Sequence, residues 1–186
     1  MTRGLFIVVG GGVRSGKSAF AVRRALSLGT RRTFLATAEP FDDDMRARAR
    51  AHREERGDDF ATVEAPRALC EALAEAARSA DVVLVDCLTL WLSNLLLAER
   101  TQAEIAAEVA RLADVVAASP AHVVLVTNEV GMGVVPDSSL GRAFRDVAGR
   151  AHQALAARAD ELYFAMMGQL LRLRPDPIAL VPAHAG

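Results

Sequence analysis

The sequence predicts one α/β domain in which a mostly parallel sheet is covered by helices on both faces. Five short aliphatic runs are typical of buried parallel strands, because such strands carry apolar side chains on both faces. The stretches between them are rich in Ala, Arg, Glu and Leu, a composition that favours helices. Alternation of the two patterns favours a parallel sheet. A length of 186 residues fits a single domain.

The elements follow one another in a simple order. The predicted strands are Leu5–Gly10, Thr33–Thr37, Val82–Asp86, His122–Thr127 and Glu161–Met166. The clearest predicted helices are Ser18–Leu28, Pro66–Ala77 and Gln102–Ala118. The last residues, Arg174–Gly186, include three prolines and are expected to form a terminal strand or tail. No repeat or flexible linker divides the chain, so residues 1–186 are expected to form one domain.

Composition and charge exclude several classes of function. The chain has 22 basic and 23 acidic side chains, so it has no excess of positive charge to attract the phosphate backbone of a nucleic acid. Cys70 and Cys87 lack the spacing of a metal site or a disulfide framework, which suits a reduced compartment. No run reaches the roughly 18 uncharged apolar residues of a membrane helix, and the first apolar run is short for a signal sequence. We therefore expect a cytoplasmic protein without a membrane span.

A glycine-rich segment after the first strand matches the spacing G-x-x-x-x-G-K-[ST] of a phosphate-binding loop. Its residues are Gly11, Gly12, Val13, Arg14, Ser15, Gly16, Lys17 and Ser18. Glycines let successive backbone N–H groups turn toward phosphate oxygens, and the following helix N-terminus adds positive potential. The spacing predicts that Lys17 reaches the β- and γ-phosphates and that Ser18 binds Mg²⁺.

Lys17 is the only lysine in the chain, because the other basic residues are all arginines. A compact ammonium on a flexible stem fits inside a phosphate loop, whereas a planar guanidinium does not replace it there. The sequence therefore predicts that this position tolerates lysine and rejects arginine.

The apolar run from Val82 ends in a carboxylate, Asp86. A strand-end carboxylate beside a phosphate loop commonly holds Mg²⁺ or a water bound to it. Asp86 is therefore our candidate on the metal side. The alternative is an aspartate that only caps the next turn.

An arginine-rich segment contains one histidine. Arg48, His52 and Arg56 are four residues apart and would share one face of a helix. Arginines on both sides would keep the imidazole neutral and nucleophilic, and would stabilise charge on an attacked phosphate. The pattern therefore suits phosphoryl or nucleotidyl transfer. An Arg/Glu-rich helix with a solvated face is the alternative.

Four motifs in this order carry a family resemblance that one phosphate loop could not. They are the loop itself, Asp42–Met45 continuing to His52-Arg53, Asp86–Thr89, and Thr127–Pro136. The match continues through Gly141–Asp146 and Ala148–Arg150, and it covers most of residues 5–168. The sequence resembles the bifunctional adenosylcobinamide kinase/adenosylcobinamide-phosphate guanylyltransferase family of cobalamin biosynthesis.

The resemblance implies an enzyme with two steps on a P-loop NTPase-like fold. ATP or GTP would phosphorylate the aminopropanol hydroxyl of adenosylcobinamide. GMP from GTP would then pass through a GMP-histidine to adenosylcobinamide phosphate, with release of pyrophosphate. His52 matches that histidine, and a homotrimer is also implied. The implied nucleotide contacts are Gly11, Gly12, Val13, Arg14, Ser15, Gly16, Lys17, Ser18, Ala36, Thr37, Ala38, Arg53, Glu54, Glu55, Arg56, Glu64 and Asp86.

The sequence departs from the family pattern at several positions. Ala51 precedes His52 where the family often has a second histidine, and Asp44 stands where Glu is usual. His152 stands where the family commonly has Asn, and its side chain is expected to face either the substrate or the core. Glu129 is expected at the edge of the site, because ligands bind where strands end in open α/β sheets. The longer match favours a contact of Glu129 with the corrinoid or the metal, and the alternative is a carboxylate on a surface loop. The other histidines, His122 and His184, are expected to be structural or exposed.

Two other functions remain open from the sequence. One is a small-molecule P-loop kinase without nucleotidyl transfer, for which the phosphate loop and Asp86 suffice. The other is a nucleotide-switch protein without turnover, although a sequence with one lysine contains no N-K-x-D signature for guanine. The Leu90–Leu97 run with Trp91 is expected to lie in the core or at a subunit interface.

Overall fold

The computed structural model describes residues 3–39 and 57–181, and within them eight strands form one sheet. The strands are β1 (Phe6–Gly11), β2 (Arg32–Ala36), β3 (Ala61–Glu64), β4 (Val82–Asp86), β5 (His122–Val126), β6 (Glu161–Met166), β7 (Gln169–Arg174) and β8 (Ala179–Val181). The helices are α1 (Lys17–Leu26), α2 (Leu69–Ala76), α3 (Leu88–Leu97), α4 (Gln102–Ala118) and α5 (Ser139–Ala156). A 3₁₀ turn covers Gly57–Asp59.

The strand order is β3-β2-β4-β5-β1-β6-β7-β8. Strands β3 through β6 in this order run parallel, which confirms the predicted mostly parallel sheet. Strands β7 and β8 add an antiparallel extension at one side, which the sequence pattern did not predict as a pair. The carboxyl ends of β2, β4, β5 and β1 consequently lie next to one another along one edge.

Helices cover both faces because each central strand is apolar on both sides. In β1, Phe6 and Val8 join the core on one face while Ile7 and Val9 join the core on the other. This alternation follows from the two-residue period of a strand. Helix α1 packs on the second face, and the other four helices of the described chain pack on the first.

The apolar run around Trp91 forms helix α3 and contributes to the core. Trp91 is fully buried, and its Nε1–H donates to the Arg67 carbonyl at 2.8 Å. Asn94 is also buried and donates to the carbonyls of Thr37 and Pro66. These two bonds tie α3 to the chain segments that follow β2 and β3, so α3 helps to shape the edge of the sheet where the strands end.

The expectations for the two cysteines and for His122 are met, whereas His184 lies outside the described residues. Cys70 and Cys87 are free and buried. His122 has a structural role, since its Nδ1 accepts a hydrogen bond from the Leu5 N–H at 2.9 Å. Among the described residues, no helix combines the length and apolarity needed to cross a membrane.

Candidate active site

The glycine-rich segment forms a tight loop between β1 and α1. Gly16 has a left-handed φ of 93° and directly precedes α1, where a side chain would be strained. At Gly11, an added Cβ would lie only 2.4 Å from the Ala165 carbonyl oxygen. Both positions therefore require glycine for the loop to keep its shape.

Lys17 is the first residue of α1 and its side chain folds back into the loop. The residue is only 7% exposed, and its Nζ donates to the Gly12 carbonyl at 3.0 Å. Burial lowers the pKa of Lys17, and the negative charge of Asp86 opposes that shift. The structure thus brings Lys17 and Asp86 to one site, with a desolvated cation aimed into the loop.

Ser15 supplies a further sign that the loop binds an anion. Within the part of the chain that the structure describes, its buried Oγ has no hydrogen-bond partner. A buried hydroxyl without a partner costs about 1–3 kcal/mol. A phosphate oxygen held by the loop would accept from this hydroxyl, which would remove the cost.

The residues at the loop also fit Mg²⁺ bound to a nucleotide. Ser18 lies in the first turn of α1, and Asp86 ends β4. Residues 3–39 and 57–181 contain no group of three or more His, Cys, Asp or Glu side chains that could hold a metal alone. A metal here would take most of its ligands from phosphates and water, which is how Mg²⁺ usually binds with nucleotides.

Ala36, Thr37 and Ala38 lie at the carboxyl end of β2, beside Asp86. Thr37 is fully buried, and its Oγ1 accepts from the Cys87 N–H and donates to the Cys87 carbonyl, each at 2.7 Å. Its side chain therefore joins the ends of β2 and β4. Any contact of residues 36–38 with a nucleotide would therefore come from their backbone atoms or from Ala38.

Glu64 lies farther along the same edge of the sheet. It ends β3, is exposed, and pairs in register with Ala36. Strand β3 is four strand spacings from β1, which corresponds to roughly 20 Å. Glu64 is therefore too far to contact a phosphate held by the loop, and only a distal part of a nucleotide can reach it. His52, Arg53, Glu54, Glu55 and Arg56 lie outside the described residues.

The structure brings together three side chains that the sequence did not link. His152 Nε2 lies 2.7 Å from Thr127 Oγ1, and His152 Nδ1 lies 3.7 Å from Glu129 Oε2. Burial lowers the pKa of His152, while Glu129 acts to raise it. The Glu129 N–H donates to the Gly11 carbonyl at 3.0 Å, so this cluster borders the phosphate loop. His152 was expected to face either the substrate or the core, and its largely buried ring lies against Thr127 and Glu129.

Comparisons with known proteins show the family of this chain. The family described as cobinamide kinase / cobinamide phosphate guanyltransferase matches residues 7–173. The bifunctional adenosylcobalamin biosynthesis protein CobP of Pseudomonas aeruginosa is 40% identical over 168 residues, covering 90% of this chain and 96% of the relative. The bifunctional adenosylcobalamin biosynthesis protein CobU of Escherichia coli K12 is 39% identical over 176 residues, covering 88% of this chain and 97% of the relative.

A solved structure supports the fold independently. The RadB recombinase crystal structure superposes with a TM-score of 0.54 at 16% identity, covering 96% of this chain and 86% of the recombinase chain. At this identity the likeness concerns the fold alone. The family match spans nearly the whole chain, including the phosphate loop and the strand ends beside it. The chain therefore belongs to the cobinamide kinase / cobinamide phosphate guanyltransferase family.

Proposed function

We propose that this chain phosphorylates adenosylcobinamide with ATP or GTP and then transfers GMP from GTP to adenosylcobinamide phosphate. The products of the second step are adenosylcobinamide-GDP and pyrophosphate. The family match and the bifunctional relatives support this proposal. The observation that carries it is the phosphate loop itself, where buried Lys17 and the unpartnered Ser15 hydroxyl are arranged for phosphate oxygens.

In the kinase step, the loop binds and orients the triphosphate. Lys17 exchanges its bond to the Gly12 carbonyl for oxygens of the β- and γ-phosphates, where its charge counters the charge that develops during transfer. Ser18 and Asp86 would hold Mg²⁺, which would supply positive charge to neutralise the phosphates.

In the guanylyltransferase step, His52 is the proposed nucleophile. Its imidazole attacks the α-phosphorus of GTP, and the bond from that phosphorus to the departing pyrophosphate breaks. A phosphate oxygen of adenosylcobinamide phosphate then attacks the same phosphorus and releases the imidazole. The basic side chains Arg53 and Arg56 would stabilise the pyrophosphate, and Glu54, Glu55 and Glu64 would contact the rest of the nucleotide. These roles rest on the family resemblance.

A corrinoid-dependent assay with each nucleotide tests the function. γ-³²P-ATP should label adenosylcobinamide, and α-³²P-GTP should label both the protein and the corrinoid product. Label transfer from γ-³²P-ATP without any from α-³²P-GTP would favour a small-molecule kinase. Nucleotide binding with no corrinoid-dependent transfer would favour a nucleotide switch.

We also propose that the chain works in the cytoplasm as a homotrimer. Within the described residues, large apolar side chains are exposed on the loop before α5, including Val134 at 93% exposure. Exposed apolar surface of this kind is typical of an interaction site. Multi-angle light scattering at micromolar concentration is expected to give a mass near three times 19.8 kDa. A mass near 19.8 kDa would rule the trimer out.

A further inference from the structure

We propose that Glu129 accepts the proton of the corrinoid hydroxyl in the kinase step, and that His152 is the positioning residue that holds this carboxylate beside the phosphate loop. The inference rests on the proposed function and adds a proton acceptor to it. The observation that carries it is the placement of Thr127 and Glu129, after β5, around the ring of His152 on α5.

The location of Glu129 suits a proton acceptor for a group that attacks the γ-phosphate. Its N–H donates to the Gly11 carbonyl at 3.0 Å, which fixes its backbone against the first residue of the loop. One carboxylate oxygen, Oε1, accepts from the Gly131 N–H, while Oε2 faces His152. The side chain is 28% exposed, so a bound substrate can reach it.

Each ring nitrogen of His152 faces a polar side chain, Nε2 that of Thr127 and Nδ1 that of Glu129. Its side chain is only 16% exposed, and burial lowers its pKa, so the imidazole is neutral near pH 7. A neutral imidazole has one donor and one acceptor. With Nδ1–H toward Glu129, Nε2 accepts from the Thr127 hydroxyl, so we assign this tautomer from the partners. The Nδ1–H dipole then attracts the carboxylate across 3.7 Å, a distance longer than a hydrogen bond.

Several elements around His152 carry charged side chains, and among them Glu129 is the one that pairs with the imidazole. Helix α3, which packs against α5, has no charged side chain. Lys17 and Asp86 lie at the phosphate loop and the end of β4, and the charged residues of α4 and α5 are Glu104, Glu108, Arg111, Asp114, Arg142, Arg145, Asp146 and Arg150. On α5, Arg145 donates to the Gly131 carbonyl and Arg142 to the Pro136 and Asp137 carbonyls. On α4, Glu104 pairs with Arg100, Arg111 with Glu71 and Glu108, and Asp114 with Arg158. Among the described residues, Glu129 is the charge that acts on the pKa of His152.

The kinase step moves a phosphoryl group and a proton. The corrinoid hydroxyl oxygen bonds to the γ-phosphorus, and the bond from that phosphorus to the bridging oxygen breaks, so that ADP or GDP leaves. The hydroxyl proton passes to the Glu129 carboxylate and then to solvent. At low pH a protonated His152 pairs with this carboxylate and competes for its lone pairs. The neutral imidazole is therefore the active form, and because burial lowers the His152 pKa, activity falls only below the ordinary histidine value of about 6.5.

The test measures corrinoid phosphorylation from γ-³²P-ATP, without GTP, across pH. Glu129→Gln should lower kcat on the order of a hundredfold or more, with little change in KM for ATP. His152→Gln should lower kcat roughly tenfold or more by displacing the carboxylate, and should also remove or shift the acid limb of the pH profile. His122→Gln is the matched control, since His122 lies at the opposite end of β5 and its side chain bonds only the Leu5 N–H in the described structure. GMP labelling of the protein should survive in all three variants.

Several outcomes would overturn the proposal. Near wild-type phosphorylation by Glu129→Gln would exclude Glu129 as the proton acceptor, and an unchanged acid limb in His152→Gln would exclude the role of His152. Glu129 lies in a partly exposed loop, so its variant decides the matter even if His152→Gln does not fold. A wild-type protein that phosphorylates no corrinoid would refute the proposed function, and this inference would fall with it.

Discussion

Replacing His52 with alanine is expected to abolish both covalent labelling by α-³²P-GTP and guanylyl transfer. The reason is that no other side chain is proposed to attack the α-phosphorus, so the covalent step loses its nucleophile. Phosphorylation of the corrinoid should persist in part, because phosphoryl transfer needs Lys17, Mg²⁺ and positioning of the substrate. The loss of one activity with survival of the other is the largest effect expected from a single substitution outside the phosphate loop.

The chemistry of the label gives a second criterion for His52. A GMP-histidine is a phosphoramidate, which is labile in acid and stable in base. Attack needs a neutral imidazole, so labelling should weaken below about pH 6, near the ordinary histidine value. His122→Ala serves as the control for removal of a histidine, since His122 is structural. Undiminished labelling of His52→Ala, or a label that survives acid and is lost in base, would contradict the assignment.

Replacing Lys17 with arginine is expected to lower both transfer activities by roughly a hundredfold or more, and Lys17→Ala should do the same. The ammonium is buried and bonded to the Gly12 carbonyl at 3.0 Å, in a space shaped for a point charge. A planar guanidinium neither fits that space nor reproduces the contact. The fold should survive, because burial lowers the pKa of Lys17 and its desolvated charge contributes little to stability.

Kinetics and thermal unfolding separate these effects for Lys17. Transfer from γ-³²P-ATP and from α-³²P-GTP should both fall, while circular dichroism and Tm stay near wild type. Arg78→Lys is a suitable control for the exchange of the two cations, since Arg78 is exposed and pairs only with Glu75 among the described residues. If Lys17→Arg retains both activities, the loop does not require lysine at this position, and our explanation for the single lysine is refuted.

The central part of the fold follows from local sequence signals. Strands β4 and β6 and helix α4 begin and end at the predicted residues, because short apolar runs mark the strands and a capping box at Thr101 marks the start of the helix. Strand β3 escaped prediction because it is a short edge strand with mostly exposed side chains, which carries little apolar pattern. The pairing of β7 with β8 depends on contacts between strands, which a pattern along the chain does not encode.

Some parts of the candidate site could also be predicted from local sequence, and others could not. The phosphate loop and Asp86 were predictable because their spacing and their position at strand ends are local features. The cluster of His152 with Thr127 and Glu129 was not, because 25 residues separate His152 from its Thr127 partner and only the packing of α5 on the sheet joins them. Burial of the Thr37 side chain between β2 and β4 is likewise a product of packing. The Thr37 side chain therefore bonds to Cys87, although the resemblance assigns this residue to the nucleotide.

A pulse-chase measurement tests the central claim most directly. The protein is labelled with α-³²P-GTP, freed of nucleotide and then mixed with unlabelled adenosylcobinamide phosphate. Our account predicts that the label leaves the protein and appears in adenosylcobinamide-GDP, with one labelled product for each labelled chain and with pyrophosphate released only during labelling. Label that stays on the protein, or that appears as free GMP while the corrinoid remains unlabelled, would contradict transfer through a covalent GMP-enzyme.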